Sequence, residues 1–256
     1  MADMVKRELK VAWLFPDVLY LHGERGNIQA LKRIAGFAYI DVIVDKISYD
    51  FEGFTPDNYD IVFCAPGEIV SFEAVIDWLM PYKEAFEKFV DSGKVLLVTG
   101  TSQCIFGKKT TREDGSTIEG LGLVDCNYTE RKYVYGDDIH FITDYCDVEK
   151  ECMGVQVQMI NVESKETPFA KLLYGFGNTG EDRNEGVRKN NSIFTNVLGP
   201  MLVQNPWITK QMIINAASNK GVEIKNFDFD MNLEEKSIAT KKKFIANKKT
   251  NLTNCR

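Results

Sequence analysis

The sequence predicts a three-layer α/β domain: a mostly parallel central sheet, helices on both faces and a short antiparallel extension. Three observations carry this. Short, nearly continuous apolar runs alternate with amphipathic segments over the first 115 residues, as strands buried on both faces require. Glycine and proline punctuate the ends of these runs. At 256 residues, 44% hydrophobic and 27% charged, the chain can bury a full core without disulfide or metal staples.

The elements follow in order. Lys10–Phe15 is an apolar run stopped by Pro16-Asp17, a strand and turn. Residues 26–36 place Ile28, Leu31, Ile34 and Ala35 on one helical face, with Gly26 or Asn27 at the start and Gly36 at the stop. Ile40–Val44 and Tyr59–Cys64 read as strands, the second closed by Ala65-Pro66-Gly67. Residues 71–91 are amphipathic but interrupted at Pro81, which predicts two short helices or one kinked helix. Lys94–Val98 is the next strand, running into Thr99-Gly100-Thr101-Ser102-Gln103 and a helical stretch through Phe106. Beyond residue 115 shorter strands are expected at Tyr133–Tyr135, Ile139–Thr143, Gly154–Ile160 and Leu172–Phe176, as an extension or edge of the same sheet. Residues 177–191 form a polar Gly/Asn-rich loop, Ser192–Val197 a strand and Trp207–Ser218 a helix. Residues 1–222 are expected to form one domain, and 223–256 a C-terminal extension with a basic tail.

Charge is unevenly placed. Residues 236–256 hold seven basic side chains and no acid, so the net charge of −6 conceals −13 on residues 1–235. An acidic body disfavours nucleic acid as a partner. The basic run reads as a solvated helix end or terminus. No apolar stretch is long enough to span a membrane, and the polar start does not read as a signal peptide. The six cysteines (64, 104, 126, 146, 152 and 255) form no CxxC pair, and there are two histidines. Reduced thiols in a cytoplasmic protein are therefore expected, with no metal and no cofactor.

In an open α/β sheet, ligands bind outside the carboxyl ends of the strands. Phe15–Gly26, Cys64–Glu68, Thr99–Gln103 and Leu198–Met201 should converge there. An apolar strand entering Thr99-Gly100-Thr101-Ser102-Gln103 and a helix has the form of a nucleophile elbow, with Thr99 as the elbow residue and Gly100 supplying the tight turn. Cys104 lies five residues on, turned away from the elbow. Cys64 ends a strand at the same edge, and His22 lies in the first loop. His140, between Ile139 and Phe141, reads as structural.

Several segments, in order, resemble the GatD branch of the CobB/CobQ-type class I glutamine amidotransferases. Leu14–Leu31, with Phe15-Pro16-Asp17 and Tyr20-Leu21-His22-Gly23-Glu24-Arg25-Gly26-Asn27, resembles the family's opening. Asp114–Leu123 resembles its Gly-Leu-Gly-Leu stretch, and Tyr174–Asp182 with Glu185-Gly186-Val187 its Gly-Asn-Asn-Gly-Glu-Asp loop. Leu198-Gly199-Pro200-Met201-Leu202, followed by Asn205-Pro206, resembles its His-Gly-Pro-Leu-Leu segment. The resemblance implies a flavodoxin-like, class I amidotransferase fold. It also implies a glutamine-like ligand and a Mur-ligase-like (MurT-type) or other synthetase partner. Gly67, Gly100, Gln103, Glu24, Arg25 and Arg131 are its implied ligand-binding residues, with Lys132 as the alternative to Arg131.

The departures fall where the family's chemistry sits. Its elbow reads Cys-Gly-Gly-Tyr-Gln, which puts Thr99 at the nucleophile position. Its histidine position is Leu198. Its partner segment, Asn-His-Gly-Gly-Arg or similar, is replaced by Val155-Gln156-Val157-Gln158. Pro66 interrupts the expected oxyanion loop and has no N–H to donate. A hydroxyl beside an aliphatic group is not activated as a thiolate–imidazole pair is. The expectation is a degenerate amidotransferase kept as a docking or binding subunit. The alternatives are a glutaminase using Thr99 or Cys64, with His22 or a partner's side chain, and a crevice reused for an amino-acid-like ligand.

Overall fold

The computed structural model describes residues 7–146, 148–224 and 227–254, with side chains through Lys248. Cys255, Arg256 and the Lys249 side chain, part of the basic run and cysteine set above, lie outside the described residues. The first half of the chain contains β1 (Glu8–Leu14), α1 (Arg25–Phe37), β2 (Asp41–Ile47), β3 (Ile61–Cys64), α2 (Phe72–Leu79), α3 (Lys83–Asp91), β4 (Val95–Thr99) and α4 (Gln103–Phe106). Next come β5 (Lys109–Thr111), β6 (Thr117–Glu119), β7 (Cys126–Thr143), β8 (Lys150–Ser164), β9 (Ala170–Tyr174), β10 (Asn184–Glu185) and β11 (Val187–Lys189). The chain continues through β12 (Ser192–Thr195), β13 (Val197–Leu198), α5 (Met201–Gln204), α6 (Pro206–Asn219) and α7 (Asn232–Asn254).

The central sheet has the order β11-β12-β4-β3-β1-β2, parallel throughout except for β11. Its strands alternate faces residue by residue. Val11, Ile61, Phe63, Val95 and Leu97 join the core formed with α1 and α6. Ala12, Leu14, Val62, Leu96 and Val98 join the core formed with α2, α3 and α4. Both faces are therefore covered, and burying each large apolar side chain stabilises by roughly 1.5–3 kcal/mol. The predicted break at Pro81 is a tight turn over 80–82 that separates α2 from α3. A proline there cannot donate the next helical hydrogen bond.

The antiparallel part is larger than the sequence reading foresaw. β5 to β10 and β13 form a second, seven-stranded sheet rather than an edge of the first. Its spine is the long hairpin of β7 and β8. The separately expected strands at 133–135 and 139–143 are one strand whose register shifts between Glu130 and Tyr135. The polar loop 177–191 contains β10 and β11, short strands whose polar composition hid them. The described part of the basic run is an α-helix, α7, and it lies against the body. Lys248 pairs with Asp137, Lys242 with Glu151, and Lys241 with Asp138 at 3.5 Å. Arg33 of α1 reaches Glu234 at 3.5 Å.

These pairs are partly exposed, and such pairs contribute about 0.2–1 kcal/mol each. Reversing two of them (Lys242→Glu with Lys248→Glu) should lower the unfolding free energy by about 1 kcal/mol in low salt. The loss should shrink in 1 M salt, measured by urea denaturation.

Candidate functional site

The strand-to-helix turn predicted at the end of β4 is present, but one residue later than expected. Thr99 keeps extended geometry (φ −115°, ψ 144°) because it still pairs with Thr195 of β12. Gly100 takes φ +62°, a left-handed conformation that glycine adopts freely and a β-branched threonine resists. The space beyond Gly100 is occupied. A Cβ built there would lie 2.8 Å from Pro66 Cβ and 3.4 Å from Leu198 Cδ2.

The turn is tied to the loop after β3. Thr101 Oγ1 donates to Gly67 O at 2.6 Å, and Ser102 Oγ donates to Ala65 O at 2.7 Å. Gln103 is fully buried and donates to Gly100 O and to Asn196 Oδ1, each at 3.0 Å. Its amide nitrogen thereby ties the turn to the segment that carries Asn196. Gly67 is held close by Leu19, whose Cδ2 would stand 2.4 Å from an added Cβ.

Two buried carboxyl groups hold the segment that carries Leu198. Glu24 Oε1 accepts the Gly199 N–H at 2.9 Å, and Oε2 accepts from Asn27 Nδ2 at 2.6 Å. Asn27 in turn accepts the Leu202 N–H at 2.9 Å. Burial raises the Glu24 pKa to about 7, with Gly199, Asn27 and the Thr99 hydroxyl pulling against it. On the other side Glu185 Oε1 accepts from Thr195 Oγ1 and from the Asn196 N–H, each at 2.7 Å. Burial raises its pKa to about 7 as well. Glu24 was foreseen as a ligand or cap residue, and its observed part is this brace. Glu185 was not singled out, although it lies in a quoted motif.

Beside the turn lies a cleft of about 220 Å³, below the 300–1,000 Å³ usual for small-molecule sites. Leu21, His22, Pro66, Gly67, Glu68, Ile69, Gly100 and Thr101 line one side, and Glu130, Val157 and Met159 of the second sheet line the other. Gln156 and Gln158 turn to the opposite face of β8, where they bond the 176–178 backbone. Arg131 is not among the lining residues. Its guanidinium stacks on Tyr135 at 3.5 Å and bonds Asn161 Oδ1 at 2.7 Å, on the face of β7 opposite to Glu130. Arg25 is exposed at the start of α1, also outside the lining. The structure thus brings Gly67, Gly100 and His22 to the cleft, with Leu198 behind the turn.

The remaining candidates are enclosed. Cys64 and Cys104 are fully buried, and burial pushes both thiols up to about 12. Thr99 is fully buried. His140 Nε2 lies 3.2 Å from Glu151 in the second sheet. Among the described residues no group of three or more His, Cys, Asp or Glu side chains is placed to hold a metal ion. Among them, no helix is long and apolar enough to cross a membrane.

No family model matches the chain. It is 30% identical over 241 residues to the lipid II isoglutaminyl synthase (glutamine-hydrolyzing) subunit GatD of Staphylococcus aureus (strain N315), covering 90% of this chain and 94% of that one. The chain belongs to the GatD family. A second GatD subunit, from Streptococcus pneumoniae (strain ATCC BAA-255 / R6), is 27% identical over 219 residues, covering 83% of this chain and 82% of that one. A solved glutamine amidotransferase superposes with a TM-score of 0.54 at 14% identity, over 81% of this chain and 98% of its own. That likeness bears on the fold, which it matches.

Two predictions follow from this GatD-family geometry. Gly100→Ala should cost about 2 kcal/mol or more, by combining positive φ with overpacking against Pro66. A thermal-unfolding scan reads the loss. The second concerns pH. Glu24 and Glu185 are ordinarily near 4.5 and stand near 7 in the fold, so between those values the folded state binds more protons than the unfolded one. Their contribution is fully present below pH 4.5 and is lost as pH rises through 7, by up to about 3 kcal/mol each. Urea midpoints should therefore fall between pH 5 and pH 8, and Glu24→Gln should flatten that slope.

Proposed function

We propose that this GatD-family chain is a binding and docking subunit that does not hydrolyse glutamine by covalent thiol chemistry. Its partner in this reading is a synthetase-type subunit, of the Mur-ligase-like class that the resemblance implies. Residues 1–222 would carry the amidotransferase-like body and 223–256 the extension that α7 begins to define. The two GatD relatives are named as glutamine-hydrolyzing, and the proposal is that this chain departs from them at the site.

One observation carries the reading. The residue on the left-handed turn is glycine, and its side-chain direction is filled by Pro66 and Leu198. An attacking group must project from that turn toward the substrate, beside donors for the oxyanion. In this reading the nucleophile's place is that of Gly100, one residue beyond Thr99, and Leu198 takes the place of a base. Pro66, beside the turn, offers no N–H. The alternative nucleophiles fare no better. Thr99 is a buried hydroxyl in an extended strand, and a Cys64 thiol near 12 is ionised to only about one part in 10⁵ at pH 7.

The test is ammonia release from glutamine by the purified chain, alone and mixed with a Mur-ligase-like partner. Background rates are expected in both, unchanged by Thr99→Val or Cys64→Ala. Robust turnover that either substitution abolishes would overturn the proposal.

A further inference from the structure

We infer that α7 is a detachable strap: it leaves the body as a unit while the α/β core stays folded, and its release loosens the Gly199–Gln204 segment that follows Leu198. Its seam is the first sign. Met231, Glu234, Ile238, Lys241, Ile245 and Lys248 recur every three or four residues and so share one helical face. Half of them are charged, and Ile245 is the one α7 side chain, among the described residues, that is buried. The neighbouring helix α6 buries Pro206, Ile208, Thr209, Met212, Ile213, Ala216 and Ala217. Apolar contact is incomplete along the rest of the seam. Met231, Ile238 and Ala239 stand across from Trp207 over a cleft of about 340 Å³, whereas a packed interior leaves few voids larger than a water molecule.

What holds α7 is therefore mainly charge. Glu234 pairs with Arg33, Lys241 with Asp138, Lys242 with Glu151 and Lys248 with Asp137. All four pairs are partly exposed, and salt weakens pairs of this kind. The hinge is equally defined. The chain before α7 is anchored as far as Phe229: Phe227 is buried and its carbonyl accepts from Lys210, while Phe229 stacks on Phe37 at 5.2 Å. Residues 230 and 231 follow outside any helix or strand. Asp230 Oδ1 accepts the Asn232 N–H at 2.9 Å, so one first-turn donor stays satisfied when the helix swings. One contact joins the strap to the site. Lys241 donates to Gln204 Oε1 at 2.9 Å, and Gln204 donates to Gly199 O. Release of α7 removes the cation that fixes the Gln204 amide, and with it the support of the Gly199 carbonyl.

The experiment is hydrogen–deuterium exchange of the full chain, read by mass spectrometry on peptides covering α6, α7 and residues 199–205. In about 50 mM salt α7 should exchange at least about tenfold faster than α6, as a local opening short of global unfolding does. Raising the salt to about 1 M, where the screening length falls to about 3 Å, should speed α7 by about tenfold more and leave α6 unchanged. Lys248 touches Asp137, Tyr174 and Phe244, well away from Gln204. Lys248→Met should nevertheless speed α7 and residues 199–205 together, by about threefold. Ala239→Leu, which fills part of the cleft, should slow both by about threefold. Lys236→Met, on the exposed side of α7, should move neither. The inference is overturned if α7 exchanges as slowly as α6, if α6 accelerates with it, or if salt has no effect. It is overturned equally if Lys248→Met leaves residues 199–205 unmoved or acts no differently from Lys236→Met.

Discussion

The close contact of Pro66 and Leu198 with the side-chain face of Gly100 is the constraint around which the site is arranged. Three segments distant in sequence meet within van der Waals distance at a residue that has no Cβ. Such packing works only if each backbone is held, and the hydrogen bonds show how. Thr101 and Ser102 fasten the turn to the loop carrying Pro66. Gln103 fastens it to Asn196, two residues before Leu198. The helix α4 then starts from a turn whose geometry is fixed from three sides. The cleft is what remains between this block and the second sheet.

Glu24 and Glu185 explain how Leu198 is kept there. Segment 195–199 leaves β12, enters β13 and must present its backbone N–H groups to something other than water. Glu185 receives that of Asn196, Thr195 Oγ1 that of Val197, and Glu24 that of Gly199. Burying a carboxyl is costly when it is ionised, and both groups respond with pKa values near 7. The fold tolerates them because each accepts from at least two donors that would otherwise go unsatisfied. The bracing also extends outward: Gln204 donates to Gly199 O and accepts from Lys241 of α7 at 2.9 Å. The basic helix is thus joined to the same segment through one side chain.

The fold was legible where periodicity is strong and local. β1, α1, β3, β4 and α6 lie within a few residues of their predicted spans because their apolar spacing and their Gly or Pro stops agree. The second sheet was less legible, since β5, β6 and β10 are two- or three-residue strands defined by pairing rather than by apolar periodicity; β11, at the edge of the central sheet, is equally short. At the site, the sequence pointed to Thr99 as the elbow residue, and the left-handed backbone falls on Gly100, one residue later. Whether Thr99 or Gly100 bends depends on where the ladder with Thr195 stops, which is a tertiary fact. Direction was equally hidden. Gln103 and Arg131 stand at plausible positions in the sequence, yet one faces the core and the other the far side of β7. Glu130, Val157 and Met159 reach the cleft only because the second sheet folds over it.

Strain gives the last step. A non-glycine residue held at φ near +60° typically costs about 1–3 kcal/mol, and active sites bear that cost because the exposed side chain performs chemistry. With glycine at the turn the cost vanishes, and the volume freed by the absent side chain admits Pro66 and Leu198. Each residue makes the others favourable: a packed leucine and proline exclude a side chain at 100, and a glycine at 100 leaves room for them. A side chain placed at that turn would introduce the strain and the overlap together. Gly100, Pro66 and Leu198 are therefore mutually dependent, and a change at any one of them removes the contact that favours the other two.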